Sequence, residues 1–113
     1  WLELEHKYRP WIDFDNLPFY GRGAGWQRQL HIYECPFYYI DYCLSTMAAL
    51  QFFLLSLHDQ KDAWERYLRL VRRAGTASYT ELCETAGLQV PFRDGSIKAI
   101  AQQMSQWIAE HQV

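Results

Sequence analysis

The sequence lacks most of the short patterns that announce a chemistry. It has no H-E-x-x-H, and none of its four histidines (His6, His31, His58 and His111) stands four residues from another. It has no G-x-S-x-G. The glycine-rich G-R-G-A-G at 21–25 is not followed by Lys-Ser or Lys-Thr. A nucleophile elbow and a phosphate-cradling loop are therefore not encoded. The cysteines are three, at 35, 43 and 83, without C-x-x-C spacing. That odd count argues against a zinc ribbon or a disulfide framework and for free thiols in a reduced, cytoplasmic setting. Basic residues number 11 against 13 acidic, for a net charge of -2, with no basic stripe. Nucleic acid is thus not an expected partner. No basic leader precedes an apolar run, so no signal peptide is read. No repeat or low-complexity tract occurs. The chain starts on Trp1-Leu-Glu-Leu-Glu5 without an initiator Met, as a piece of a longer protein would.

What is present is apolar and aromatic. Hydrophobic residues make up 50% of the 113, and aromatics 17%, which excludes a disordered chain and suits one domain with its own core. The expected fold class is all-α: a compact single domain over residues 1–113, with one long, very apolar central helix, about three flanking helices and an irregular N-terminal loop region. Residues 1–7 read as the last turns of a helix, stopped by Pro10. Residues 11–25, with Pro18 and three glycines among aromatics, read as an ordered irregular loop. Residues 26–30 fit a helical turn or a strand equally well.

Pro36 suits the first turn of a helix. From Phe37 to Leu57 only Asp41 is charged. That run is long enough to span a membrane, but Ser45, Thr46, Gln51 and Ser56 interrupt it. A helix apolar on all sides is also what the centre of a soluble helical domain needs, and no membrane partner is expected. Asp59 is a good N-cap for a helix over 60–73, with Arg72 and Arg73 at its C-terminal end and Gly75 beyond. Trp64, Tyr67, Leu68 and Val71 form its apolar stripe. S-Y-T-E at 78–81 is a capping box opening a short helix that Gly87 closes. Residues 88–95 form a loop around Pro91. A last helix over 96–111 carries Ile97, Ile100, Ala101, Met104, Trp107 and Ile108 on one face.

The densest chemistry lies at 31–42, H-I-Y-E-C-P-F-Y-Y-I-D-Y. With a helix starting at Pro36, Tyr38 and Tyr42 are four apart and Tyr39 and Tyr42 three apart, so the phenols share neighbouring surface. His31 sits on the segment before and can fold back over them. A phenol or a protonated imidazole is a suitable donor to an oxyanion forming on a carbonyl. The plain alternative is a set of buried aromatics with satisfied hydroxyls and a core histidine. No histidine or cysteine spacing encodes a complete metal site.

K-Y-R-P at 7–10, L-P-F at 17–19, W-Q-R-Q-L-H-I at 26–32 and P-F-Y-Y-I-D-Y at 36–42 resemble the C-terminal part of oligoendopeptidase F-type enzymes. These are zinc metallopeptidases related to thimet oligopeptidase. The 64–67 helix, S-Y-T-E-L at 78–82, A-G-L at 86–88 and P-F at 91–92 extend the resemblance over most of the chain. It implies a C-terminal portion of a zinc-dependent oligoendopeptidase that hydrolyses short peptides. In that family zinc is held by an H-E-x-x-H helix and a downstream Glu, so Zn2+ belongs to residues outside this chain. His31, Tyr39 and Tyr42 match the catalytic histidine and tyrosines of the facing cleft wall. Tyr38 is the candidate for a further, substrate-binding tyrosine. The implied partners are a peptide and the missing N-terminal part of the catalytic domain. A fragment of this kind is expected to be inactive alone, to expose apolar surface and to self-associate. A non-catalytic helical interaction domain is the alternative, and H-E-x-x-H encoded upstream would separate the two. A small membrane-associated protein is a third reading, tested by expression without detergent.

Overall fold

Side-chain caps set where two of the helices begin. A computed structural model describes residues 1–111. Its order is α1 (Leu2–Tyr8), two 3-10 turns (Tyr20–Arg22 and Gly25–Arg28), α2 (His31–Glu34), α3 (Ile40–His58), α4 (Gln60–Arg73), α5 (Tyr79–Ala86) and α6 (Ser96–His111). The all-α expectation holds among the described residues, and α4 and α6 span the residues expected of them. Asp59 caps α4 by accepting from the amides of Lys61 and Asp62 at 2.9 and 3.0 Å. Ser78 and Glu81 form the capping box of α5. Gly87 takes φ +68 at the end of α5. The Leu88 amide then reaches back to the Cys83 carbonyl at 2.8 Å, the usual left-handed glycine ending.

The α5 cap carries a pH dependence. The Glu81 carboxylate accepts from the Ser78 hydroxyl at 2.7 Å and from the Ser78 amide at 2.8 Å. These bonds, the hydroxyl first, hold its pKa below the ordinary 4.5. A carboxyl depressed in the folded state stabilises fully above its unfolded value and loses that contribution as pH falls through the folded value. Glu81→Gln is therefore expected to be less stable than the parent at about pH 7, with a smaller gap at about pH 3. Urea midpoints at the two pH values measure this, and an unchanged gap would contradict it.

Two compact units are present, Trp1–Ile40 and the part from Asp41 onward. In the first, Phe14 is buried and Tyr20 packs on it at 6.1 Å between ring centroids. Glu5 is buried, accepts from the Trp1 indole N–H at 2.7 Å and pairs with Arg9. Gly21 fits where a Cβ would meet the Asp15 carbonyl oxygen at 2.7 Å. These contacts turn residues 11–25 into the ordered loop expected of them.

The second unit has its core at Cys83, Ala86, Leu88 and Val90, with Ala48, Phe52, Leu55, Leu70 and Tyr79 packed around it. Two polar ties fix α3 in this unit. The Tyr79 hydroxyl donates to the Leu44 carbonyl at 2.8 Å. The buried Gln51 amide pairs with both backbone groups of Gln89: Nε2 donates to its carbonyl at 3.1 Å and Oε1 accepts from its amide at 2.7 Å. A loop that must end on buried Leu88 and Val90 is thereby given the backbone partner that a neighbouring strand would supply.

Three expectations need correction. The long helix starts at Ile40 rather than near Pro36. Cys35, restricted by the proline after it, takes φ -140 and ψ 68, and Phe37 takes φ 71, so residues 36–39 form a turn. The apolar stripe of α4 is largely on the surface: Trp64, Tyr67 and Val71 are exposed, whereas Ala63 is buried and Leu70 meets the core. On α6, Ile100 is buried and the Trp107 ring meets Phe53 edge-on at 4.9 Å, while Ile97 and Ile108 stay exposed. The central helix α3 is also thinly covered. Only 11% of its most apolar 18-residue window is buried, and by length and composition it could cross a membrane.

Candidate functional site

Local backbone geometry brings three of the four candidate side chains together. His31 opens the single turn of α2. That turn is braced by Trp26, whose ring stacks on Tyr33 at 6.4 Å and 27°. The chain then reverses through residues 36–39, and the Tyr38 amide donates to the Cys35 carbonyl at 3.2 Å. The reversal returns both tyrosines to the histidine. The Tyr38 ring lies parallel to the His31 ring, with centroids 5.9 Å apart and 8° between planes. The Tyr39 ring meets it at 4.9 Å and 59°. The imidazole is half-buried and its Nδ1 is shielded from solvent, while both phenol rings stay about half exposed. An imidazole held on two aromatic faces has little freedom to reorient, which is what a positioned donor needs.

The reason for this grouping differs from helical spacing. Tyr38 and Tyr39 lie in the turn and only Tyr42 lies on α3, so the i, i+4 argument does not apply to the pair. The turn does the work through a left-handed Phe37, a position that costs a bulky residue about 1–2 kcal/mol. Phe37 is 93% exposed, so packing of its own side chain does not account for that conformation. Tyr42 stands in the first turn of α3, in the second unit, with its carbonyl accepting from Thr46 at 2.7 Å and Ser45 at 3.1 Å. Its ring is about half exposed. None of His31, Tyr38, Tyr39 and Tyr42 is sealed in an apolar interior, contrary to the plain reading as core aromatics.

A second feature went unseen in the sequence. An open groove of about 1030 Å³ is lined by Phe52, Ser56, Ala63, Trp64 and Tyr67 among others. Trp64 and Tyr67 stack at 5.4 Å, and Phe52 meets Tyr67 edge-on at 5.5 Å. The helical spacing of these rings was legible, but spacing does not say whether a face is covered. Among the described residues no group of three or more His, Cys, Asp or Glu is arranged to hold a metal. The described cysteines are free thiols: Cys35 and Cys43 are exposed and Cys83 is buried.

Comparison with solved structures finds the same fold in peptidases. An X-ray structure of a protein assigned as oligoendopeptidase F superposes with a TM-score of 0.85 and 39% identity, over 96% of this chain and 19% of that one. PZ peptidase A, in complex with an inhibitor, gives 0.87 and 41% over 97% of this chain and 20% of its own. No family model and no curated protein matches. Identity at this level along nearly the whole chain defines a segment of a peptidase. Within that class, the chain belongs to the oligoendopeptidase F type. It spans about a fifth of the length of these two proteins.

Proposed function

We propose that this chain is the C-terminal portion of the catalytic domain of a cytoplasmic zinc oligoendopeptidase that cleaves short peptides. The observation that carries the reading is the His31–Tyr39 pair at 4.9 Å, partly open to solvent and built on a segment shared with two peptidases. In this reading His31, Tyr39 and Tyr42 donate hydrogen bonds to the scissile carbonyl as charge develops on its oxygen, and Tyr38 contacts the peptide. Such donors act only when preorganised, because they then need no rearrangement as the charge appears. The described residues do not fit a zinc site, so the metal of the family would be held by residues outside this chain. The segment alone is then inactive.

The thin cover on α3 and the open groove at Trp64 support the same reading. Contiguous apolar surface of this kind marks an interface. The remaining four-fifths of the peptidase would cover it. In isolation, copies of the segment would cover one another.

The direct test uses the complete peptidase. Tyr42→Phe removes one hydroxyl and keeps the ring. It is expected to lower kcat on a short peptide more than tenfold, since loss of one such donor typically costs about 10²–10³. Steady-state kinetics at saturating peptide measures it. A loss well under tenfold would remove Tyr42 from the reaction. Absence of peptide hydrolysis by the complete protein would defeat the reading and favour a non-catalytic helical interaction domain.

A further inference from the structure

Arg28 closes the 3-10 turn Gly25–Arg28, three residues ahead of His31. Its Nη1 donates to the Tyr20 hydroxyl, and its guanidinium carbon lies 5.8 Å from the centroid of the same ring. Tyr20 is itself fixed, edge-on to Phe19 at 5.3 Å and beside buried Phe14 at 6.1 Å. The guanidinium is therefore clamped by an anchored ring, although the residue is exposed.

That clamp occupies one nitrogen. A guanidinium carries five N–H donors in a planar fork, and the fork matches a carboxylate with two parallel bonds. Among the described residues the ion pairs include none to Arg28. The acid within its electrostatic reach, Glu5, is buried and already bonded to Arg9 and the Trp1 indole. Within the same unit Tyr39 also lies within electrostatic reach of Arg28. The Tyr39 ring in turn borders His31. Tyr39 is thus near both the clamped cation and the imidazole.

On the peptide-hydrolysis reading above, we infer that Arg28 is a specificity residue whose free N–H groups bind a carboxylate of the peptide substrate. The carboxylate is either a free C-terminus or an acidic side chain. Arg28 would select which peptides are held against His31 and Tyr39, and it would not take part in bond cleavage.

The test compares matched peptides with the complete peptidase: one with a free C-terminus, the same peptide amidated, and versions with each acidic side chain replaced by its amide. The parent is expected to prefer the carboxylate, and the arm that loses the preference identifies its source. Arg28→Gln should lower kcat/KM for the preferred peptide about 10–100-fold, the usual weight of a charged hydrogen bond, mostly through KM. It should leave the amide within about twofold. Arg28→Lys should recover part of the loss. An equal fall for acid and amide would overturn the inference, as would no fall. A second measurement is independent of turnover: the Arg28 Nε–H NMR signal of the complete protein, titrated with peptide acid and peptide amide. A shift with the acid only, in a protein that does not hydrolyse peptides, would keep Arg28 as a carboxylate site and reject the peptidase reading. Hydrolysis with a signal indifferent to the acid would reject Arg28 alone.

Discussion

His31→Ala in the complete peptidase is expected to reduce kcat by about 10²–10³ while KM changes less than tenfold. The split between the two constants follows from the geometry. An imidazole flanked by the Tyr38 and Tyr39 rings, with Nδ1 shielded from solvent, is restricted in orientation before peptide binds. A donor placed in advance contributes most when charge appears on the carbonyl oxygen, and less when the neutral peptide first binds. Removing the ring also removes a surface on which both phenols lean, so a loosened turn is an alternative cause. His31→Gln separates the two causes. It keeps an N–H donor and most of the side-chain bulk, and should recover part of the turnover. Single-turnover measurements with the three proteins decide the matter. A rise in KM with kcat unchanged would make His31 a ground-state binding residue, and equal loss in both variants would point to packing.

The second large effect is on stability. Gln51→Leu is expected to cost about 2–4 kcal/mol. The residue is buried, and its amide makes both bonds to Gln89 together with a longer one to the Met47 carbonyl at 3.3 Å. A typical hydrogen bond contributes about 1 kcal/mol net, and a backbone group left unpaired next to a core costs about 1–3 kcal/mol. Leucine has similar volume, so cavity formation adds little. Leu88 and Val90 flank the pairing, and the loop is expected to loosen where they enter the core. Urea unfolding with an unchanged slope and a lower midpoint measures the cost. A change below about 0.5 kcal/mol would mean that water replaces the amide at Gln89.

The helix termini of the second unit were legible because they depend on neighbours in sequence. Asp59 reaches amides two and three residues on, Ser78 and Glu81 cap each other, and Gly87 alone tolerates its left-handed turn without strain. The all-α class and the span of α4 and α6 follow from such local rules together with hydrophobic periodicity. The start of α3 was misjudged because Pro36 is equally good in a turn, and the outcome rested on Phe37 adopting a positive φ. No local preference of phenylalanine favours that. His31, Tyr38 and Tyr39 do meet, but helical spacing gave the wrong reason for it.

The sequence by itself determined the helical class, the caps, the likeness to oligoendopeptidase F-type peptidases and the stretch in which polar aromatics gather. Only the tertiary structure decided which apolar faces are covered, that the turn at 36–39 brings Tyr38 and Tyr39 against His31, and that Tyr20 clamps Arg28. The physical reason is one of range. Caps and periodicity are settled among residues a few positions apart, whereas burial and ring stacking depend on segments that meet only once the chain has folded back on itself.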